Sequence, residues 1–361
     1  MPQPTDELDL AHGPTWKNRI ALAPLTNRQS NDDGSLSQDE VAWLTARADG
    51  GFGLVMTAAA FVAPAGQVWR GQLGVASPEH LPGLRRLADS LRAAGARSSV
   101  QLHHGGRRAE RSITGVAAQC PWDDPAHDAV AMTLDDVAAA VESFVAAAVR
   151  AEQAGFDGVE VHGAHGYLLG QFLDTSRNDR ADGYGGSPDG RFRIVCEVLA
   201  GIRAATRSGF QLGLRLSPEG FGTTVQDGRE YARQALESDL LDYLDLSLWD
   251  VFMRPRKGGD ALLIDHFVDL PGGGARLGVT GNVRSTADLQ WCLDKGADFV
   301  SVGHGAIVHH DFAARALADP QFVARPMPVS VDVLREEKLG PAFVEYLAET
   351  FPDVVEVSGN G

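Results

Sequence analysis

Residues 133–167 read TLDDVAAAVESFVAAAVRAEQAGFDGVEVHGAHGY. Thr133-Leu-Asp-Asp136 opens a helix, behind which Val137, Val141, Phe144, Val145, Ala148 and Val149 recur at helical spacing. Gly155 supplies the left-handed stop that helix ends favour. Gly158-Val-Glu-Val-His162 then reads as a short strand, whose end releases two histidines and a tyrosine between His162 and Tyr167. An amphipathic helix feeding a short strand is the repeating unit of a parallel sheet.

The alternation extends in both directions. Strands are expected at Ile20–Ala23, Phe52–Thr57, Ser98–Leu102, Gly158–His162, Phe210–Leu216, Tyr243–Leu248, Leu277–Thr280 and Phe299–Gly303. Ser37-Gln-Asp-Glu40 is a capping box opening a helix through about Ala48. Further helices are expected over Pro82–Ala94, Arg191–Ala205, Arg229–Glu237, Thr286–Lys295 and Asp311–Ala318. Eight strands with interleaved helices imply an α/β fold, a (β/α)8 TIM barrel. A doubly wound sheet fits less well, because no G-x-G-x-x-G follows an early strand. No internal repeat is present. Phe343, Tyr346, Leu347 and Phe351 recur at helical spacing. We therefore expect one domain, a barrel over residues 1–328 with a C-terminal helical tail over 329–361. The tail would dock on the barrel or on a second copy, which leaves a homo-oligomer open.

Composition narrows the ligand. The 361 residues are 44% apolar and 22% charged, an ordinary globular balance. Against 32 basic residues stand 48 acidic ones, a formal charge of −16, which excludes a nucleic-acid surface or an anionic membrane as natural partners and leaves small molecules. Cys120, Cys196 and Cys292 are too far apart for a CxxC metal knuckle or a disulfide framework. The acidic start MPQPTDELDL has no apolar signal core, so a cytoplasmic protein is expected.

Barrels of this kind place their chemistry where strands end. The first strand ends Ala23-Pro24-Leu25-Thr26, the third Gln101-Leu-His-His104, the fourth His162-Gly-Ala-His165-Gly-Tyr167 and the fifth Arg215-Leu-Ser217. Two neutral imidazole N–H groups, from His162 and His165, could hold a substrate oxygen while Tyr167 donates a proton. Arg215 at a buried strand end calls for an anion, an electron-rich ring or a structural ion pair. Gly281, Gly303 and Gly305 follow the last two strands, where barrels commonly bind phosphate on backbone N–H groups. A zinc site built from His103, His104, His162, His165, His309 and His310 is the competing reading. It is weakened because the first strand offers no ligand.

These motifs have a familiar order. Asn18-Arg19-Ile-Ala-Leu-Ala-Pro24-Leu-Thr26, Gln101-Leu-His-His104-Gly-Gly106-Arg107, His162-Gly-Ala-His165-Gly-Tyr167 and Asn178-Asp-Arg180-Ala-Asp182-Gly-Tyr184-Gly-Gly-Ser187 resemble the successive signatures of the Old Yellow Enzyme family of FMN-dependent NADH:flavin oxidoreductases. The likeness runs from about residue 18 to 318 and implies an FMN across the barrel mouth. Pro24, Leu25 and Ala59 would line the flavin, Thr26 would bond its C4 carbonyl, and Gln101 would meet its pyrimidine edge. Arg215 would face the N1/C2 carbonyl side, and Gly281, Gly303 and His304 would surround the phosphate. NADH or NADPH would give a hydride to the flavin, and an activated alkene would then take it. His162 and His165 would hold that substrate's carbonyl oxygen, and Tyr167 would protonate its α-carbon.

Three departures stand out. His304 occupies a position where many members carry Arg. Thr26 replaces the Cys of one branch. Arg28 stands where some relatives place an aromatic, and could select a carboxylate-bearing substrate. With no clustered Cys motif and no added nucleotide domain, the chain resembles the single-barrel branch. Similar relatives perform oxidative N-demethylation of small betaines or amino acids. A non-catalytic flavin-binding barrel and a metal-dependent barrel hydrolase are the alternatives of other classes.

Overall fold

Eight parallel strands close into a ring in the computed structural model, which describes residues 1–356. They are β1 (Ile20–Leu22), β2 (Leu54–Phe61), β3 (Arg97–His103), β4 (Gly158–Gly163), β5 (Gln211–Leu216), β6 (Tyr243–Ser247), β7 (Arg276–Thr280) and β8 (Phe299–Val302). Each strand pairs with its sequence neighbours, and β1 pairs with β8 to close the barrel. All eight expected strands form. β2 runs four residues beyond its expected end at Thr57, because Ala58–Phe61 is as buried as the apolar run before it.

Helices follow most strands: α1 (Gln38–Asp49), α2 (Leu81–Ala93), α3 (Leu134–Ala154), α4 (Pro188–Ala205), α5 (Val225–Glu237) and α6 (Thr286–Lys295). The expected starts of α4 and α5 were late. Ser187 caps α4 with Pro188 at its first position, and Thr224 with Asp227 forms a capping box on α5, so each helix gains a turn. The connection from β6 to β7 carries no α-helix. A small parallel ribbon, Ala118–Cys120 with Ala129–Ala131, rises from the β3–α3 loop and had no expectation behind it.

The barrel interior is layered. Leu8, Trp16, Tyr243 and Phe299 plug the bottom, with Trp16 in edge contact with both other rings at 5.1–5.5 Å. Gly213 and Gly278 leave room for these rings, since a Cβ at either would sit 2.1 Å from Tyr243 or Phe299. Above the plug the register sets Gln101 beside Glu160, His162 beside Arg215, and Arg215 beside Asp245. The polar row at the C-terminal face is thus a consequence of period-two alternation in adjacent strands.

After β8 come α7 (His304–Val308), α8 (Phe312–Ala318), α9 (Val331–Glu336) and α10 (Pro341–Thr350). α10 lies on this chain's own barrel. Phe343 meets Trp43 of α1 edge-on at 4.9 Å, and buried Arg47 donates to the carbonyls of Ala306 at 2.9 Å and Glu337 at 2.6 Å. Residues 357–361 of the expected tail lie outside the described residues. Among the described residues, no helix is long and apolar enough to cross a membrane.

Candidate active site

A cavity of about 460 Å³ opens at the C-terminal face. Its base and walls include Pro24, Leu25, Thr26, Ala59, Gln101 and Arg215, and its far end Gly281, Gly303 and His304. His162, His165 and Tyr167 also line it. Twelve of the thirteen residues that the family resemblance gave a role therefore share one cavity. The thirteenth, Arg28, lines a groove beside it, with its guanidinium 4.6 Å over the Tyr346 ring and 3.5 Å from Glu349.

The loop after β4 turns sharply. His165 adopts φ +60° and Gly166 φ +66°, two successive left-handed residues. The turn brings His165 Nδ1 to 3.3 Å from His162 Nε2, and Ser247 Oγ lies 2.8 Å from His165 Nε2. Tyr167 completes the group, its ring centred 5.3 Å from that of His162 and 4.3 Å from that of His103. Burial drives His162 well below its ordinary pKa, assisted by the neighbouring His165 and His103. Burial, then Arg215 and Arg108, holds His165 down to about 3. Both rings are neutral at physiological pH and carry one N–H each. Burial pushes the Tyr167 phenol up, and Arg108 partly offsets that shift.

Arg215 pairs with Asp245 at 2.9 Å, with both side chains almost fully buried. The structural ion pair and the cavity-lining role thus coexist at one residue. Arg215 Nε is buried without a partner. Gln101 donates to Glu160 at 2.8 Å, and the second oxygen of Glu160 has no partner. Burial and the nearby Asp245 push the Glu160 carboxyl up to about 8, so it is largely protonated at pH 7. Gly281 is sterically required, because a Cβ there would meet the Trp249–Asp250 backbone at 2.8 Å.

Sequence reasoning missed several lining residues. Trp69 and Trp249 sit on loops with no periodicity to mark them. Arg108 lies one residue past the Gly105-Gly106-Arg107 signature. The tail carried the signal for Tyr346 and Phe351, but not their position in the cavity wall. His309 and His310 lie elsewhere, beside Arg325 and Glu337 respectively. No three His, Cys, Asp or Glu side chains among the described residues are placed to hold a metal ion.

A family profile, NADH:flavin oxidoreductase / NADH oxidase, matches residues 10–325. The chain belongs to this family. It is 34% identical over 316 residues to the probable NADH-dependent flavin oxidoreductase YqiG of Bacillus subtilis, covering 84% of each chain. It is 37% identical over 299 residues to the NADPH dehydrogenase of Bacillus pumilus, covering 81% of this chain and 87% of that one. A structure of morphinone reductase in complex with tetrahydroNAD superposes with a TM-score of 0.80 at 25% identity, covering 100% of this chain and 99% of the other. The Old Yellow Enzyme homologue from Zymomonas mobilis shares the fold, with a TM-score of 0.79 at 24% identity over 92% of this chain and 96% of that one. The protein is an NAD(P)H-dependent flavin oxidoreductase whose cofactor is FMN.

The cavity suits that cofactor on its own chemistry. A flat, polar-edged ring system needs small apolar walls, an amide for its pyrimidine edge and a cation for the charge that reduction adds. Pro24, Leu25 and Ala59 would supply the walls, Gln101 the amide, and Arg215, with its unpartnered Nε, the cation.

Proposed function

We propose that the enzyme reduces the activated C=C bond of α,β-unsaturated carbonyl compounds at the expense of NADH or NADPH. The observation that carries this reading is the convergence of His165 Nδ1 and His162 Nε2 at 3.3 Å, beside Tyr167. Two neutral imidazoles this close, one donating to the other, hold an N–H that a carbonyl oxygen can take over, and they suit it better than they suit a cation. FMN, when bound, would supply the hydride relay between the nicotinamide and the alkene. The two imidazole N–H groups hold the carbonyl oxygen and draw electron density from the β-carbon. The Tyr167 hydroxyl gives its proton to the α-carbon.

The cofactor would be held as the cavity suggests. Pro24, Leu25 and Ala59 would line its ring, Thr26 and Gln101 would bond its polar edge, and Arg215 would balance its charge. Gly281, Gly303 and His304 would face the phosphate. On this reading residues 1–328 form the FMN-binding barrel, and the tail from 329 completes its mouth.

Tyr167→Phe tests the assignment. Reduction of the flavin by NADPH should change by less than about threefold, and its reoxidation by an enone should slow by about 100-fold. Equal losses in both half-reactions would overturn the role.

A further inference from the structure

Beside the cavity lies a second hollow, of about 820 Å³, which shares Thr26, Trp69, Arg108, Tyr167 and Tyr346 with it. Arg28, Arg107, Arg108 and Arg111 all line this groove, in a chain whose formal charge is −16. Two of the four are engaged: Arg107 with Asp124 at 3.0 Å, and Arg111 with Asp128 at 2.7 Å. Of the groove's own acids, Asp128 pairs with Arg111, whereas Glu110 accepts from the Ser112 hydroxyl at 3.2 Å and has no cation within 4.0 Å among the described residues.

The other two arginines are different. Arg108 has no carboxylate within 4.0 Å among the described residues; it donates to the His165 carbonyl at 3.0 Å and lies 5.0 Å from the centre of the Tyr167 ring. Arg28 has only an exposed contact with Glu349 at 3.5 Å, and its Nε has no partner. Its backbone is strained, at φ +53°, a conformation that costs an arginine energy and is kept where something depends on it. Each guanidinium rests on a tyrosine ring that also lines the cavity, so each is oriented before a ligand arrives.

We infer that this groove is an anion subsite, in which Arg108 and Arg28 hold a carboxylate or phosphate attached to a molecule whose reacting end lies in the cavity. The planar donor fork of a guanidinium matches either group. Two molecules could bring it: an unsaturated carbonyl substrate bearing an acid group, or the nicotinamide donor through its phosphates. The substrate half of the inference rests on the proposed alkene reduction.

The test compares ratios in the FMN-loaded enzyme and its Arg108→Gln, Arg28→Gln and Arg108→Lys variants. Reoxidation is followed with a neutral cyclic enone and with the same enone carrying a carboxylate. Flavin reduction is followed with NADPH and with N-benzyl-dihydronicotinamide, which has no phosphate. A fall of about tenfold or more in the carboxylate-to-neutral ratio of kcat/KM in the Gln variants, partly restored by Lys, assigns the subsite to the substrate. A comparable fall in the NADPH-to-benzyl ratio alone assigns it to the donor's phosphates. No change in either ratio overturns the subsite. If the unaltered enzyme reduces neither enone, the alkene-reduction reading fails. The subsite is then judged by the donor ratio and by binding of 4-hydroxybenzoate against 4-hydroxybenzamide, read as a shift in flavin absorbance. Unchanged discrimination in both would overturn it.

Discussion

His165 Nδ1 and His162 Nε2 face each other across 3.3 Å, and neither ring can hold a second proton near neutrality. An imidazolium pair would repel itself inside a buried wall that already contains Arg215. Each ring must therefore work as a neutral donor, and its tautomer is set by what its other nitrogen meets, for His165 the Ser247 hydroxyl.

The oxidative half-reaction should accordingly show no imidazole titration. Its rate should be level from about pH 5 to 8, and a step near the ordinary histidine value of about 6.5 would mean that one ring stays hydrated. His165→Ala should slow enone reduction about 100-fold. His165→Asn, which keeps an N–H at that place, should recover part of the loss.

Glu160 gives a stability prediction. In the unfolded chain this carboxyl ionises at its ordinary value of 4.5, whereas in the barrel it keeps its proton to about 8. Its support for folding is therefore complete below about 4.5 and is lost as pH rises through 8. Glu160→Gln removes that dependence while keeping an oxygen for Gln101. Urea unfolding at pH 5, 7 and 9 should show the variant gaining on the parent toward alkaline pH, by on the order of a few kcal/mol. Parallel profiles would show that the carboxyl is already ionised at neutral pH.

The eight strands and the site's position were legible because both follow from periodicity. Buried parallel strands read as short apolar runs, and the residues just past them face the mouth. His162, Arg215 and Gln101 could be found in this way. Partners across the ring could not. Asp245 sits inside an ordinary strand, and only the β5–β6 register sets it beside Arg215. Loop residues such as Trp249 and Arg108 carry no period at all. Phe343, Tyr346, Leu347 and Phe351 announced a helix without saying where it would lie. Its seat depends on Trp43 and Arg47, some 300 residues earlier in the chain.

Arg47 lies 3.3 Å over the Trp43 ring and donates to Ala306 and Glu337, tying α1 to α7 and to the end of α9. Arg47→Ala would strand buried carbonyls and open a void. It should cost about 3 kcal/mol or more in thermal or urea unfolding. Limited proteolysis should cut the variant after residue 329 sooner than the parent. Equal protection would show that the apolar contacts of Phe343 and Leu347 hold the tail unaided.

The phosphate end of the cavity sets the last test. His304 lies there, and burial, with Arg284 nearby, lowers its pKa, so it brings no positive charge at neutral pH. Arg284, which lines the adjoining hollow together with Asn282 and His304, can supply one. Its Nε bonds to Asn282 at 2.9 Å, and no carboxylate among the described residues lies within 4.0 Å of its guanidinium. A phosphate group carries close to two negative charges at neutral pH and gains most from such an uncommitted cation. Arg284→Gln should raise the Kd for FMN at least about tenfold, measured by quenching of flavin fluorescence on titrating the apoprotein. His304→Arg should tighten binding in the parent, and more so in the Arg284→Gln background, where no other cation competes for the phosphate. An unchanged Kd in Arg284→Gln would leave the phosphate to backbone N–H groups beside Gly281 and Gly303.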